Sequence, residues 1–218
     1  LSGKDDSLSQ HAMYLLGDAY LKTGQKSNAR NAFLFCSSNS SNPEQREIAR
    51  YQYAKLSYEL GYQDEALNSL SSFIADYPAS KYNTEAKELM IDVLANTNNY
   101  KDAQAMLETL KNPSENSKRV YPRILFGRAT EMINDGRLAE ADGLLNQVLE
   151  DPYNRTVLPY AYFWKGEIGY RNKQLDTAIK YFHAYMDAGA PTAGEANPVN
   201  AKYNLGYSYL RKENFKVS

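Results

Sequence analysis

The sequence predicts an all-α fold built from stacked pairs of antiparallel helices. One observation is a self-similarity with a step of about 37 residues, which is typical of stacked supersecondary units. A second is that a turn residue in each unit is followed five positions later by alanine. A third is that apolar residues recur at three- and four-residue steps, the spacing of a buried helical stripe. The turn residues are Gly24, Gly61, Asn98, Gly136 and Lys173, and the alanines are Ala29, Ala66, Ala103, Ala141 and Ala178.

The first helix of each unit is expected to end at the turn residue. Glycine just past a helix end adopts the left-handed conformation without steric cost, and asparagine tolerates it next best. At Lys173 the signal is weaker, although Asn172 lies beside it. In the first unit the helix is expected over 8–22, with a buried stripe of Met13, Leu16, Tyr20 and Leu21.

The second helix of each unit is expected to begin just past the turn and to carry the alanine on its own buried stripe. Proline follows these helices at Pro78, Pro113, Pro152 and Pro191, where it ends one helix without disturbing the next. Two connections are polar: 112–118, which we expect to act as a hinge, and the longer loop 189–198. The predicted units are 8–41, 43–78, 80–113, 119–152, 156–191 and an incomplete 197–218, all within one domain over 1–218.

Composition excludes several function classes. The chain has 218 residues with 25 basic and 26 acidic ones, and the resulting charge of −1 gives no field that would attract nucleic acid. No run of 18 apolar residues occurs, so no membrane span is predicted. Because the chain stops at 214–218, before a second helix of that unit, we expect it to be a piece of a longer protein, and a trimmed signal is left open.

These residues resemble the tetratricopeptide repeat, whose pattern is an aromatic residue, then Leu-Gly, Tyr, Ala, Phe and Pro across a helical hairpin. In the third and fourth units Ile91 and Ala129 occupy the glycine place, so these units match less well. The resemblance implies a right-handed superhelical solenoid of about five hairpins plus a truncated sixth. The matching residues are Leu16, Gly17, Tyr20, Ala29 and Phe33 in the first unit; Ala54, Ala66 and Pro78 in the second; Tyr162, Gly166, Ala178 and Phe182 in the fifth; and Leu205, Gly206 and Tyr209 in the sixth.

The junction over 73–82 is similar to one found in bacterial cell-envelope tetratricopeptide proteins, including outer-membrane assembly lipoproteins and Tol-Pal associated proteins. Here Pro78 is expected to end one helix, Ser80 to cap the next, and Tyr77 and Tyr82 to pack around the corner. The likeness implies a periplasmic or outer-membrane associated protein, with a cytoplasmic location left open.

No catalytic, cofactor or metal site is predicted. The histidines, His11 and His183, lie about five repeats apart in sequence, and Cys36 sits where a small buried residue is expected, so it is interpreted as an inert packing thiol. The chain lacks a phosphate-binding glycine loop. Three carboxylates share one helix face, which suits a cation, a basic peptide or acid–base chemistry; a solvated acidic surface is the favoured interpretation, and calcium binding has little support. They are Glu85, Glu88 and Asp92.

A partner surface is expected on the first helices, which line the inner groove in the resembled family. The positions that face this groove are rich in tyrosine, which offers a large rigid contact area with a polar tip. We therefore expect replacing Tyr51 and Tyr58 by alanine to weaken partner capture and to leave melting nearly unchanged. The predicted partner-binding residues are Tyr14, Asp18, Tyr51, Lys55, Tyr58, Glu85, Glu88, Asp92, Phe126, Tyr160, Phe163, Tyr170, Tyr203 and Tyr207.

Three functions fit these patterns to different degrees. The favoured one is a non-catalytic scaffold that binds a protein or an extended peptide in an aromatic-rich, partly acidic groove. A glycan-binding or glycan-uptake accessory module of the bacterial envelope is the alternative, because aromatic faces also stack on sugar rings. An enzyme such as a helical-solenoid muramidase is disfavoured, because it requires a recessed glutamate and a domain that this sequence lacks.

Overall fold

The computed structural model is all-helical over residues 2–214, which are the residues it describes, with side chains placed for 6–213. The prediction of antiparallel helix pairs is confirmed. The end of the sixth predicted unit, 215–218, lies outside this range. The expectation that the chain is a piece of a longer protein was drawn from those residues and stays an expectation. The helices are α1 (Ser2–Lys22), α2 (Lys26–Ser38), α3 (Pro43–Glu59), α4 (Gln63–Asp76), α5 (Asn83–Asn96), α6 (Tyr100–Glu108), α7 (Glu115–Asn134), α8 (Leu138–Glu150), α9 (Leu158–Arg171), α10 (Leu175–Asp187) and α11 (Pro198–Asn214).

The helices form two compact units. The N-terminal unit, Leu1–Ser117, contains the pairs α1/α2, α3/α4 and α5/α6, and each helix in it packs against the next one along the chain. The C-terminal unit, Lys118–Ser218, contains α8 to α11 and most of α7. A single domain over the whole chain stays a prediction.

The turn inside each pair has the left-handed backbone expected from the sequence. The φ angle is 74° at Gly24, 80° at Gly61 and 74° at Gly136, and it is 60° at both Asn98 and Lys173. The residue after each turn donates its N–H five positions back, as in Gln25 N to Tyr20 O at 2.8 Å and Gln174 N to Gly169 O at 2.8 Å. This Schellman geometry satisfies carbonyls that the helix end leaves free.

The predicted alanine stripe is the contact line between paired helices. All five alanines named above are fully buried. Glycine has the same role on the first helix, since a Cβ on Gly17 would lie 2.9 Å from Phe33 and one on Gly166 would lie 2.8 Å from Phe182. Large side chains of the second helix can therefore fill the space beside a glycine of the first helix, which has no side chain.

The stripe predicted on α1 is only partly buried. Met13, Tyr20 and Leu21 are half-buried, and Leu16 is exposed, which corrects the expectation that it belongs to the core. The reason is that α1 packs against α2 and α3 on one side. Leu16 points away from that side.

Side-chain amides cap the ends of several second helices, which the sequence analysis did not predict. The Asn83 amide donates to Ile74 O at 3.2 Å and to Tyr77 O at 3.1 Å. The buried Gln10 amide donates to Asn39 O at 3.0 Å, and its carbonyl accepts from Asn42 N at 2.7 Å. These bonds fix the connection between one helix and the next.

Two expectations about connections are corrected. Ser80 does not cap α5, because the residue before that helix is Tyr82; instead its hydroxyl accepts from Tyr82 N at 3.1 Å in a short turn and donates to Glu47 at 2.6 Å. The polar segment 112–118 is not a connection throughout, since α7 already begins at Glu115.

Polar contacts join consecutive helix pairs at one equivalent position in each unit. Arg30, which follows a stripe alanine on α2, donates to Ser57 Oγ at 2.8 Å and lies 4.7 Å from the ring centroid of Tyr53 on α3. In the C-terminal unit Asp142 follows the stripe alanine of α8, and its carboxylate lies 2.6 Å from the buried Lys165 ammonium on α9. The chemistry of this joint therefore differs between units.

Candidate functional site

Side chains from three first helices form one polar, aromatic surface in the N-terminal unit. Burial is the main cause that raises the pKa of Tyr14 on α1, and the charges of Asp18 and Glu44 add to it. We call this surface the tyrosine–carboxylate face. Its residues are Tyr14, Asp18, Glu44, Lys55, Tyr58, Tyr82, Glu85, Glu88 and Asp92.

Tyr51 does not belong to the exposed surface, and its predicted place in an open groove is wrong. Its side chain is 1% exposed. The ring packs at 5.7 Å from Phe73 and stacks at 4.4 Å on Tyr82, which comes from the next helix pair. Tyr51 is therefore a core residue beneath the tyrosine–carboxylate face.

The Tyr51 hydroxyl is buried beside the Glu85 carboxylate. Burial, followed by the hydrogen bond to Glu85, raises the pKa of this phenol strongly. The hydroxyl is thus a neutral group held directly under the charged surface.

An ion pair crosses the face from α3 to α5. The Lys55 ammonium lies 2.7 Å from Glu85 Oε1 and 5.8 Å from the ring centroid of Tyr51. Its hydrogen bond is the main cause that lowers the pKa of Glu85 below the ordinary 4.5. The two residues keep 33% and 47% side-chain exposure, so the pair is accessible to solvent.

The other two carboxylates of α5 also have partners. The Tyr58 hydroxyl donates to Asp92 Oδ2 at 3.2 Å, and Asn116 Nδ2 donates to the same oxygen at 2.9 Å. Glu88 accepts from the backbone N–H of Ser114 at 2.7 Å. Glu88 and Asp92 therefore hold the connection before α7 and the start of that helix, and Asp92 also keeps the half-buried Tyr58 ring in place.

On α1, Asp18 is paired with Lys22 at 2.6 Å within its own helix. The Tyr14 ring packs edge-on against Phe33 at 6.2 Å and remains half-buried. Both residues are thus on the surface as predicted, and whether they contact a partner stays a prediction.

In the C-terminal unit the predicted aromatic residues separate into buried and accessible ones. Phe163 is 2% exposed and packs against Phe182 and Tyr185, so its predicted place in an open groove is wrong. Its ring fills the core between α9 and α10. The remaining predicted aromatics of this unit are half-buried or exposed: Phe126, Tyr160, Tyr170, Tyr203 and Tyr207.

The accessible aromatics of the C-terminal unit have identifiable neighbours. The Phe126 and Tyr160 rings lie 6.2 Å apart. The Arg211 guanidinium lies 5.2 Å from the Tyr170 ring centroid. Tyr203 and Tyr207 on α11 are the most exposed, at 61% and 41%, with ring centroids 4.7 Å apart.

Sequence reasoning missed two members of the tyrosine–carboxylate face. Tyr82 was interpreted as a corner residue, and Glu44 was not selected. Tyr82 packs at the corner as predicted and also meets Tyr51 of the preceding pair. Tyr82 precedes α5 and Glu44 lies in the first turn of α3. Neither residue is at a groove position of the repeat pattern, so the pattern could not include them.

Other candidate chemistry is accounted for by packing. Cys36 is fully buried, and burial raises the pKa of its thiol. Trp164 is half-buried, and its ring lies edge-on to the ring of Phe163 at 5.4 Å. Within 6–213 no cluster of metal-ligating side chains occurs. None of the helices between residues 2 and 214 has the length and apolarity to cross a bilayer.

Comparisons with known proteins show what the chain is similar to. The chain is similar to PilF of Pseudomonas aeruginosa, with 14% identity, 97% of this chain and 93% of that chain covered, and a TM-score of 0.44. It is also similar to a thermophilic TPR protein of Thermus thermophilus, with 17% identity, coverage of 92% and 99%, and a TM-score of 0.37. No curated protein sequence matches the chain. The family model of the tetratricopeptide repeat matches residues 10–37 and 49–80. The first two helix pairs of this chain therefore match the tetratricopeptide repeat.

Proposed function

We propose that this protein is a non-catalytic scaffold that binds a partner protein or an extended peptide on the tyrosine–carboxylate face. Tetratricopeptide repeats act as protein-interaction modules, and this chain contains two of them. The observation that carries the proposal is the composition of the face. Tyrosines and carboxylates from three successive first helices lie on this face. Folding does not require these residue types at surface positions of a helix, so their presence there favours a binding role.

The arrangement suits a peptide better than a small molecule. Tyr14, Tyr58 and Tyr82 are half-buried, so each offers a rigid ring whose conformation is already restricted. Such rings lose little entropy on binding, and tyrosine is enriched where binding energy concentrates. Because the residues come from α1, α3 and α5, a partner that touches all of them has to extend across several repeats.

A selection from a random peptide library tests this function, with the purified protein as the target. We expect peptides whose binding is weakened about tenfold or more by Tyr58→Ala. Tyr100→Ala is the matched control, because Tyr100 is also half-buried but begins a second helix, α6. If no peptide is enriched, or if both variants lose binding equally, the face is not a peptide-binding surface.

A glycan-binding function is the second candidate, and it is motivated by Tyr203 and Tyr207. Their rings are close together and exposed, and adjacent exposed rings can stack on sugars. Titration with soluble peptidoglycan fragments tests it by NMR of ring protons. Shifts that disappear in Tyr203→Ala support this function, and unchanged spectra at millimolar fragment contradict it.

We also infer an envelope location, periplasmic or outer-membrane associated. It is supported by the Tyr-Pro junction, in which Tyr77 stacks on Phe73 at 5.2 Å and Tyr82 on Tyr51 at 4.4 Å. Fractionation of the native cell by osmotic shock tests it. Recovery of the protein with cytoplasmic markers would exclude this location.

A further inference from the structure

A cleft of about 630 Å³ lies between the second helices α4 and α6 of the N-terminal unit. Both helices pack against α5, whose buried Met90 and Leu94 form the floor of the cleft. The walls add Leu67 from α4 and Ala105 and Met106 from α6. The centre of the cleft is therefore apolar, and none of its lining residues belongs to the tyrosine–carboxylate face.

The cleft lies at a joint between helix pairs that is bridged by a polar contact one repeat earlier. Leu67 follows its turn residue by six positions, as Arg30 does in the preceding repeat. Arg30 donates to the Tyr53 hydroxyl at 3.0 Å, and the residue of α5 that corresponds to Tyr53 is Met90. The corresponding cleft over α3 measures about 300 Å³ and has a mostly polar and charged lining. Replacing the arginine and its partner by shorter apolar side chains thus leaves the larger, apolar cleft open.

The rim of this cleft is polar and carries one charge. Among the described residues that line the cleft, Asp102 is the only ionisable one. Its side chain is exposed, and it has no ion-pair partner within residues 6–213. A ligand that places a basic group over this rim therefore gains an ion pair without displacing an existing one.

The open shape of the cleft suits a helix better than a small molecule. Small-molecule sites typically bury about 70–90% of the ligand surface, whereas the lining residues Asn68, Ala105 and Thr109 are exposed. Two helices that pack side by side on a third leave a groove between them, and amphipathic helices bind such grooves through apolar residues one turn apart. The two methionines of the lining have flexible side chains that adapt to different apolar surfaces.

We propose that this cleft binds an amphipathic helix of a partner protein, whose apolar stripe contacts Met90 and Met106 and whose basic residue pairs with Asp102. The inference goes beyond the function proposed above, because it uses no residue of the tyrosine–carboxylate face. Met90 lies two positions from both Glu88 and Asp92, which is about 200° around α5. The two surfaces therefore lie on opposite sides of this helix, so a partner on one does not block the other.

Selection from a library of helical peptides tests the proposal on the whole chain. The peptides have 14 residues, are held helical by side-chain lactam bridges, and vary in their apolar and charged positions. We expect enriched peptides to carry apolar residues at three- and four-residue steps and a basic residue beside them. In NMR spectra of protein with labelled methionine methyl groups, these peptides should shift the signals of Met90 and Met106. The signals of Met13, Met132 and Met186, which lie outside the cleft, should stay unchanged.

Two variants examine the apolar and the ionic contact separately. Ala105→Phe fills the cleft from an exposed position and should weaken binding of the enriched peptides about tenfold or more, whereas Ala75→Phe, at an exposed position of α4 outside the cleft, should not. Asp102→Asn should weaken binding about twofold to fivefold, and only for peptides that keep their basic residue. Asp64→Asn makes the same change in net charge outside the cleft and should have a smaller effect.

The outcomes distinguish this inference from the function proposed above. Enriched peptides should bind Tyr58→Ala as tightly as the natural protein, so a failure of the tyrosine–carboxylate face does not affect them. The cleft proposal is refuted if no helical peptide is enriched, or if Ala105→Phe binds as well as Ala75→Phe. It is also refuted if the cleft binds only the small apolar dye 1-anilinonaphthalene-8-sulfonate, or if the two methionine signals shift only with protein concentration, which would indicate a second copy of this chain.

Discussion

Replacing Tyr51 distinguishes a core tyrosine from a surface one. Tyr51→Ala removes a ring that is 1% exposed and that contacts Phe73 and Tyr82. Truncation of a buried aromatic side chain typically destabilises by about 3–5 kcal/mol, to which the lost ring pairs contribute about 0.5–1.5 kcal/mol each. Tyr51→Phe keeps the ring and removes only the hydroxyl, so it should destabilise much less, by about 0.5–1.5 kcal/mol.

Urea unfolding followed by far-UV circular dichroism measures these effects. Tyr58→Ala is the matched control, because Tyr58 lies on the same helix but is only half-buried, and its loss should destabilise by about 1 kcal/mol. The sequence alone led to the opposite expectation, that both alanine variants would melt nearly unchanged. Equal and small effects of Tyr51→Ala and Tyr58→Ala would refute the core assignment and restore that expectation.

Three further stability predictions follow from contacts described above, each measured by the shift in urea midpoint. Gly166→Ala should destabilise by about 1–3 kcal/mol, because its Cβ would overlap a buried ring. Gly143→Ala has open space around it and should stabilise by about 0.5–1 kcal/mol. A change of the same sign in both variants would contradict this explanation. Asp142→Asn removes the carboxylate that neutralises a buried ammonium, which keeps its hydrogen bond to Asn146, and should destabilise by about 3 kcal/mol. Lys165→Met leaves a carboxylate with 36% exposure and should destabilise less; the reverse order would show that the ammonium reaches water. Ala66→Leu should destabilise by about 1–3 kcal/mol by overpacking, and an unchanged midpoint would mean that the stripe has free volume.

The fold was predictable because its signals are local. A left-handed turn needs glycine or a tolerant residue at one position, and close helix packing needs a small residue five positions on. Even Lys173, a weak signal in sequence, adopts φ of 60°. The all-α hairpin architecture follows from these short-range rules.

The burial of individual site residues was not predictable because it depends on neighbours that are distant in sequence. Tyr51 and Tyr58 are seven positions apart and share one face of α3. Tyr82, from the following helix pair, stacks on Tyr51, whereas the Tyr58 hydroxyl donates to Asp92 on α5 and its ring stays half-buried. The helical period gives the direction of a side chain but does not give the residue that covers it.

The differing joints between helix pairs limit how this gene could evolve by recombination. Arg30 meets Tyr53 and Ser57 at one joint, and Asp142 meets the buried Lys165 at the equivalent place in the other unit. A chimera that set the arginine-bearing hairpin before the lysine-bearing one would bury two positive charges together. Duplicated or shuffled modules would therefore misassemble unless the joint mutated with them, so the order of the hairpins is itself encoded in the chain.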